Sequence, residues 1–529
     1  MSSRPVTIVG AGPLGLVLAQ ALRARGQAVT VLESGGALPD VPEFDAEIAD
    51  GGRHAPLRLA NARAVGGSSW WWGGRCVPLD SHDYLPRAHM PASGWPIQAA
   101  DVAPFEAEAA IALGLPGARF AIDEATNDLR LCDLELWLNE PQLARSALAR
   151  LDSATLKTNT SVRRLVPAAD ERSVAALEVS VGGGPSMRMP MEGPVVLACG
   201  GVQTTRLLLE LQDRETAHMG GPDGPLGRTY MGHVSGRIAD IRFDDARDAA
   251  QFAYSPVPGG ARRRRITLSP DLLEREALPN GCVYPANPLL GAAEHGSGAL
   301  SLLFLILSTP GVGRRLASEA IRKGQMRGSP DWRRHVGNLL SDAPEAIAVL
   351  LNVAKQRLIL KRRKPFLFHR ARDGRYPLHY HLEQRANHAS AIHRLPGTDS
   401  LGLPRIWIDL QFEEADVDNV LRWHDVLDRK LRETGTGRLI HHAESITARR
   451  ELVWSQLSDG FHQLGTTRMG TDATDGVVDR NCRTFDLHNL FVASTSLFRT
   501  SGQANPTFTG AVLAVRLAEH LANSGKDSA

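Results

Sequence analysis

The sequence lacks the features that define several classes of protein. Its five cysteines are odd in number and never form a CxxC pair, which argues against disulfides, a zinc site or a haem attachment. No apolar run approaches the roughly 18–20 residues of a membrane-spanning helix, and a strand-like run at 6–10 leaves no room for a signal peptide. No GxSxG segment indicates a hydrolase nucleophile. We therefore predict a cytoplasmic protein without a transmembrane segment.

Charge is nearly balanced over the chain, with 60 basic and 58 acidic residues, so no global field favours nucleic acid as a partner. An apolar fraction of 43% and a charged fraction of 22% are typical of a globular protein. The exception is the segment 311–375, which holds 16 Lys or Arg against 5 Asp or Glu. Its basic cluster Lys361–Lys364 is either the solvated end of a helix or a docking face for an anionic partner or a membrane surface.

A glycine motif stands near the start of the chain. Gly10, Gly12 and Gly15 form GxGxxG between a short apolar run and a helical pattern. In such a motif the first glycine permits a tight turn, the second lets the backbone approach a pyrophosphate, and the third lets the helix pack on the strand. A second apolar run at 28–32 ends before Glu33, whose carboxylate is placed to accept hydrogen bonds from ribose hydroxyl groups. Together these features predict a dinucleotide site.

Two later segments repeat the order of strand and turn. Residues 194–198 precede Cys-Gly-Gly and a helical pattern, and residues 490–493 precede a polar loop and an Ala/Val/Leu helix over 509–521. Strands this far apart in sequence predict one parallel sheet that is assembled discontinuously around a large insertion.

Further motifs stand at 63–75, 196–208, 462–470 and 505–507. In their order along the chain they resemble the glucose-methanol-choline (GMC) family of flavoprotein oxidoreductases. Residues 63–75 (RAVGGSSWWWGGR) resemble its glycine loop along the flavin, and residues 196–208 resemble its second flavin-contacting strand and helix. The likeness continues at 93–105, 227–233, 462–470 and 505–507. It is closest to the sugar- and polyol-oxidising, pyranose-oxidase-like branch, because residues 500–507 (TSGQANPT) are similar to that branch's flavin-side loop.

The resemblance implies an α/β fold with a Rossmann-like, discontinuous FAD-binding domain at 1–234 and 453–529. Residues 235–452 are expected to form an α+β substrate-binding domain on a mixed or antiparallel sheet, with a helical basic insertion. The residues expected to bind FAD are Gly10, Gly12, Gly15, Glu33, Arg63, Gly66, Gly67, Ser68, Ser69, Gly73, Gly74, Ser494, Pro506 and Thr507.

His462 and Asn505 match the family's active-site pair, which implies that they carry the chemistry. Oxidation of an alcohol by a flavin needs a base for the hydroxyl proton and a hydride acceptor at flavin N5. Imidazole suits the first role because its pKa lies near working pH. The Asn505 amide is expected to hold the substrate oxygen and to help aim the carbon–hydrogen bond at N5.

Three positions depart from the family pattern. Trp71 stands where some relatives carry a His that bonds the flavin covalently, so we expect non-covalent FAD. Ser494 replaces an Asp that contacts FAD in many relatives, and Arg499 replaces a Pro, which brings a charge toward the substrate or cofactor. The run Trp70–Trp72 is either packing around the cofactor or a stacking wall for a sugar ring.

No metal site is predicted. His379 and His381 alternate on one face of a predicted strand, but no carboxylate stands near them at ligand spacing. His441 and His442 lead to the same interpretation.

The predicted function is oxidation of a CH–OH group to a carbonyl, on a sugar, glycoside or cyclitol, with dioxygen or a quinone or other redox carrier as electron acceptor. Two alternatives stay open. In the first, the same fold acts as a lyase, a decarboxylase or an oxidase on an apolar alcohol or acid, and Ala299–Leu307 lines an acyl channel. In the second, the chain is a non-catalytic flavoprotein that docks a partner through its basic segment.

Overall fold

The computed structural model describes residues 4–39, 46–49, 53–122, 127–143, 151–152, 154–309, 311, 313, 326, 331–356, 368–371, 373–400 and 402–524. The strands in these ranges are β1 (Val6–Val9), β2 (Val29–Leu32), β3 (Ala46–Ile48), β4 (Arg75–Cys76), β5 (Leu129–Arg130), β6 (Leu134–Leu138), β7 (Leu156–Lys157), β8 (Thr160–Pro167), β9 (Val174–Val181), β10 (Ser186–Pro190), β11 (Val195–Leu197), β12 (His233–Phe243), β13 (Ser255–Val257), β14 (Gly260–Arg264), β15 (Ile266–Leu268), β16 (Gly281–Pro285), β17 (Arg375–Glu383), β18 (Ala391–Thr398), β19 (Pro404–Asp409), β20 (Gly437–His441) and β21 (Leu490–Val492).

The α-helices in the same ranges are α1 (Pro13–Ala24), α2 (Leu57–Ala60), α3 (Ala99–Val102), α4 (Glu106–Leu113), α5 (Gly201–Arg214), α6 (Pro270–Arg275), α7 (Gly298–Ser308), α8 (Trp332–Ser341), α9 (Ala343–Ala354), α10 (Glu414–Glu433), α11 (Ile446–Gln456) and α12 (Thr507–Ser524).

A five-stranded parallel sheet has the strand order β21-β11-β1-β2-β7. Three neighbouring strands of this sheet, β21, β11 and β1, come from three distant parts of the sequence, as the separated strand-and-turn segments predicted. These strands are short and apolar, and they are buried because helices cover the sheet. The Rossmann-like α/β fold class is thereby confirmed.

The parallel arrangement brings the strand ends to one edge. Gly10 follows β1, Glu33 follows β2, Ala198 follows β11, and Ala493 follows β21. Because all of these strands run in the same direction, their carboxyl ends open onto one crevice, which is where ligands of such sheets bind.

A six-stranded sheet forms the second layer, with the order β20-β12-β17-β16-β15-β5. Side chains on β17 alternate between its faces. Tyr380 and Leu382 join a core with Trp423 of α10, so His379 and His381 face the other way, away from that helix. The sheet therefore presents a polar face on its opposite side.

The predicted domain boundaries stay a prediction, and strand pairing crosses them. β5 lies inside the predicted FAD-binding range but pairs with β15, and β6 pairs with β14. In the opposite direction, β19 pairs with β3. A strand pairs with any sheet edge that has unpaired backbone groups. Strand pairing therefore need not follow a domain boundary that is inferred from sequence motifs.

Helices α8 and α9 lie in the basic segment 311–375, and they expose several apolar side chains. Leu340 is 80% exposed and Leu351 is 65% exposed, and Ile347 lies on the same surface at a helical spacing from Leu351. The cluster Lys361–Lys364 lies outside the described residues. Among the residues described, no helix combines the length and the apolar character needed to span a bilayer.

Candidate active site

The glycine motif forms a tight turn between β1 and α1. A Cβ on Gly15 would lie 2.1 Å from the carbonyl oxygen of Gly10, and one on Gly10 would lie 2.6 Å from that of Ala198. A Cβ on Gly12 would meet only one protein atom within 4 Å, at 3.8 Å, because this residue borders the open crevice. Two glycines therefore allow the backbone to pack, while Gly12 leaves room for a ligand at the start of α1.

Glu33 is a buried acid at the end of β2, with 6% of its surface exposed. One carboxylate oxygen accepts the backbone N–H of Ala11 at 2.9 Å, and the other accepts that of Gly35 at 2.8 Å. Burial raises the pKa of Glu33 above its usual value, and these two backbone donors oppose that change. An ionised carboxylate offers about four acceptor sites, so it retains capacity for ribose hydroxyl groups.

Many of the predicted residues line the crevice. They are Gly10, Gly12, Glu33, Arg63, Gly67, Ser68, His462, Ser494, Pro506 and Thr507. The others lie behind this surface: Ser69 is fully buried and donates to the carbonyl of Gly66 at 2.6 Å, and Gly73 and Gly74 pack close to Trp137 and Leu138. Their contact with the cofactor stays a prediction.

Sequence reasoning missed several residues of the crevice wall. Asn61 and Gln203 both line it, and among the described residues the Nδ2 of Asn61 and the Nε2 of Gln203 are buried donors without a partner. Residues 160–162 and 199–201 also contribute. The Cys-Gly-Gly turn follows β11 as Gly10 follows β1, so this similarity could have predicted residues 199–201 as part of the site. Asn61 and Gln203 belong to no motif and could not have been predicted in this way.

An antiparallel bridge positions His462. Met231 and Leu464 exchange two backbone hydrogen bonds of 3.1 Å, and this register sets His233 directly opposite His462. The two Nδ1 atoms are 2.7 Å apart. The preceding Gly232 permits this approach, because a Cβ there would lie 2.4 Å from the carbonyl oxygen of Asp459. The two loops therefore meet at their backbones and bring the imidazoles into hydrogen-bond contact.

Asn505 completes the pair that the sequence predicted. Its Nδ2 lies 3.1 Å from the Nε2 of His462, and its Oδ1 is buried without a partner among the described residues. Pro506 and Thr507 follow it at the start of α12. The structure thus brings His462 and Asn505 together at the crevice although 43 positions separate them.

Two more histidines surround this pair. His233 is fully buried, and its Nε2 lies 3.1 Å from the carbonyl oxygen of Ser501. The ring of His381 stacks on it with centroids 4.2 Å apart, and the Nδ1 of His381 is 2.5 Å from the hydroxyl of Ser235. In the sequence, His233 stands at the end of the segment 227–233 that resembles the family, and His381 was predicted only to lie on a strand face.

Electrostatics keep these imidazoles neutral. Burial, assisted by the nearby Arg75 guanidinium, lowers the pKa of His462 from its usual value to about 3. Burial also lowers the pKa of His233 and of His381 well below the usual value. Arg75 itself pairs with Glu135 at 2.7 Å. At neutral pH all three rings therefore carry one proton each and no charge.

A metal ion is a second way to interpret the three histidines, since their nitrogens lie within 4.8 Å of one another. Two nitrogens that ligate one ion at the usual bond length of about 2.0–2.1 Å are held apart by that ion. A separation of 2.7 Å between His233 and His462 is instead the length of a hydrogen bond. The absence of a metal site stays a prediction.

The positions that depart from the family pattern have defined surroundings. The guanidinium of Arg499 forms an ion pair with Asp475 at 2.8 Å and donates to the carbonyl of Met469, so its charge is already compensated by protein groups. Ser494 accepts from the hydroxyl of Ser496 at 2.9 Å. The indoles of Trp70 and Trp72 donate to backbone carbonyls, and Trp71 is 37% exposed.

Comparison with known proteins gives matches at both ends of the chain. Residues 390–514 match the family GMC oxidoreductase, and residues 5–51 match the family Pyridine nucleotide-disulphide oxidoreductase. A 2-methyl-1,2-propanediol dehydrogenase of Mycolicibacterium austroafricanum is 30% identical over 131 residues, which cover 24% of this chain and 22% of that relative. A C-glycoside 3-oxidase of Arthrobacter globiformis is 32% identical over 126 residues, which cover 23% of this chain and 22% of that relative.

The likeness of fold extends over the whole chain. The solved structure of pyridoxine 4-oxidase from Mesorbium loti is similar with a TM-score of 0.56 and 17% sequence identity, covering 98% of this chain and 99% of that one. The curated matches, by contrast, span about a fifth of each relative's length, since they cover 22% of each.

The fold and the crevice define the class of protein. A parallel sheet with a glycine turn, an acid at the end of β2 and buried donors along the wall fits a dinucleotide, and FAD is the cofactor. Such a site is typical of flavoprotein oxidoreductases. The match of residues 390–514 to the GMC oxidoreductases confirms the resemblance found in the sequence.

Proposed function

We propose that the protein oxidises a CH–OH group of a small polyhydroxylated substrate to a carbonyl, with His462 as the general base. The observation that carries this proposal is the contact between the Nε2 of His462, a residue that lines the crevice, and the Nδ2 of Asn505, which directly precedes the crevice-lining Pro506. The two nitrogens are 3.1 Å apart. A substrate hydroxyl placed beside both nitrogens meets one group that accepts its proton and one amide that holds its oxygen.

Each residue has a defined task in this reaction. Bound FAD supplies the hydride acceptor. The Nε2 of His462 takes the hydroxyl proton, and its lowered pKa keeps it unprotonated and ready at neutral pH. The Asn505 amide fixes the oxygen, so that the carbon–hydrogen bond keeps one orientation, which is the entropic part of catalysis. The Nδ1 of His462 stays in hydrogen-bond contact with the Nδ1 of His233, which stops the ring from turning.

The substrate class rests on the relatives. Those reported above are named for acting on a propanediol and on a C-glycoside, both of which are alcohols. We propose a sugar, glycoside or cyclitol for this chain, with dioxygen or a quinone-type carrier reoxidising the flavin. Its half-exposed Trp71 supports this choice, because a flat indole next to the crevice loop is a surface on which sugar rings stack.

The test is anaerobic mixing of the FAD-loaded protein with sugars, glycosides, polyols and aliphatic alcohols in a stopped-flow spectrometer. Bleaching of the oxidised flavin band by a polyhydroxylated alcohol is the expected result. His462→Ala should keep its FAD and lower the reduction rate by roughly 10²- to 10⁴-fold. The matched control is His488→Ala, since His488 is exposed and does not line the crevice. A His462→Ala rate equal to that of the control would remove His462 from the mechanism.

The same samples test the two alternatives. A lyase or decarboxylase would form product while the flavin stays oxidised, and a docking flavoprotein would be reduced by none of the alcohols. Non-covalent binding of FAD is also part of the proposal. Acid precipitation should release the flavin into the supernatant, and a yellow pellet would contradict it.

A further inference from the structure

We infer that His233 is a positioning residue that fixes which nitrogen of His462 is free to accept a proton. The inference rests on the proposed function, because it concerns the base of that reaction. His233 does not line the crevice. It acts through His462, whose Nδ1 is 2.7 Å from its own Nδ1.

One group beside His233 has a fixed role in hydrogen bonding. The backbone carbonyl of Ser501 can only accept, so the Nε2 of His233, 3.1 Å away, must carry the hydrogen. His233 is buried and neutral, and a neutral imidazole has one protonated nitrogen. Its Nδ1 is therefore a bare acceptor.

The position of the hydrogen on His462 follows from its position on His233. Two nitrogens 2.7 Å apart share one hydrogen, and since His233 has none at Nδ1, the hydrogen belongs to the Nδ1 of His462. Neutral His462 then has its lone pair at Nε2, where the Asn505 amide donates to it at 3.1 Å. The chain Ser501, His233, His462 and Asn505 thus has only one consistent assignment of hydrogens. It points the basic nitrogen toward the substrate side.

The surroundings hold His233 in the orientation that this assignment needs. The ring of His381 stacks on it at 4.2 Å with an interplanar angle of 13°. His381 is anchored in turn by the hydroxyl of Ser235. The charged group that acts on these rings is Arg75, which disfavours a second proton on any of them. The chain of hydrogen bonds from Ser501 to Asn505 is therefore neutral, and each of its hydrogens points in one direction. We call this chain the relay.

The first test compares two variants of His233. His233→Leu fills the site without an acceptor, and we expect flavin reduction to slow by roughly 10- to 100-fold, the usual cost of losing a partner that orients an imidazole. His233→Asn places its Oδ1 near the former Nδ1 and should recover the rate to within a few-fold of wild type. FAD content and thermal midpoint measured on both variants separate this effect from misfolding. Equal rates for the two variants would overturn the inference.

The second test needs no substrate, and a variant serves only to assign the signal. Nitrogen-15 NMR of histidine-labelled, FAD-loaded protein reports the tautomer of His462, whose signal is identified by its loss in His462→Gln. The expected spectrum shows hydrogen on Nδ1 and a bare Nε2. Hydrogen on Nε2 would overturn the inference. If no alcohol reduces the flavin but this tautomer is observed, the proposed function fails while the role of His233 in fixing the ring stands.

Discussion

The two ends of the crevice are built from different parts of the polypeptide. At the dinucleotide end the backbone makes the site, with glycines at Gly10, Gly12 and Gly15 and one acid, Glu33. At the histidine end the side chains make it, and they come from β12, β17 and two loops near the end of the sequence. Substitutions at the dinucleotide end act through steric clashes, whereas substitutions at the histidine end change the position of a proton. We therefore expect abrupt loss of FAD binding from the first and a graded loss of the reduction rate from the second.

The largest expected effect is at the backbone-built end. Gly15→Ala places a Cβ 2.1 Å from the carbonyl oxygen of Gly10, so β1 and α1 cannot keep their packing. We expect loss of bound FAD and a strongly reduced yield of folded protein. The measure is flavin absorbance per purified chain. Gly337→Ala is the matched control, because that helical position has no atom within 4 Å of an added Cβ and alanine favours a helix by up to about 1 kcal/mol. Flavin content equal to the control would break the comparison.

A smaller effect is expected at the acid of the same end. Glu33→Ala leaves the buried N–H groups of Ala11 and Gly35 without their acceptor and removes a charged partner for the ribose. Hydrogen bonds to charged groups contribute about 1.5–3 kcal/mol each, so the dissociation constant for FAD should rise by roughly 10- to 100-fold. Titration of the apoprotein with FAD measures it. Glu33→Gln retains one acceptor and should lie between Glu33→Ala and wild type, and unchanged affinity in both would exclude the ribose contact.

The pH dependence of flavin reduction should report only the ionisation of His462 at the histidine end. Below its pKa His462 carries a second proton and cannot act as a base, so the rate rises with pH through that value and is constant above it. Because burial and Arg75 lower this pKa to about 3, the rate should be level from about pH 5 to 8. Stopped-flow reduction over this range tests it. A descending acid limb centred near 6.5 would show that His462 has an ordinary pKa.

The smallest effect is expected far from both ends. Leu340→Glu on α8 changes a side chain that is 80% exposed, so neither flavin content nor the reduction rate should change. The thermal midpoint should stay close to that of wild type. A marked fall in it would show that this apolar surface is covered in the folded protein.

Local patterns carried most of what the sequence predicted. The turn after β1, the acid after β2 and the strands at β11 and β21 are each encoded in a few adjacent residues, and the structure places all four at one edge. Helix α12 begins at Thr507 rather than the predicted 509, because Pro506 directly precedes its first turn and is compatible with a helix start. Local sequence patterns therefore predicted the presence of these elements more accurately than their ends.

The histidine cluster was not predictable in the same way. His233 meets His462 because Met231 pairs with Leu464, and His381 reaches His233 because β17 pairs with β12. No local pattern encodes either register. A resemblance to a family identified His462 and Asn505 individually, but the relay behind them depends on long-range pairing. Neutral buried imidazoles with displaced pKa values likewise follow from the packing of both layers and not from composition.

The last helix of the fold packs on the first. Gly510 of α12 lies so close to Leu14 of α1 that an added Cβ would be 2.9 Å from its side chain, and Arg25 forms an ion pair with Glu519. Strand β21, which pairs with β11, also stands near the end of the sequence. During synthesis the ribosome must therefore pass residue 492 before the nucleotide crevice has its outer wall. The flavin therefore binds only near the end of translation. A nascent chain that stalls earlier exposes the unpaired edge of β11.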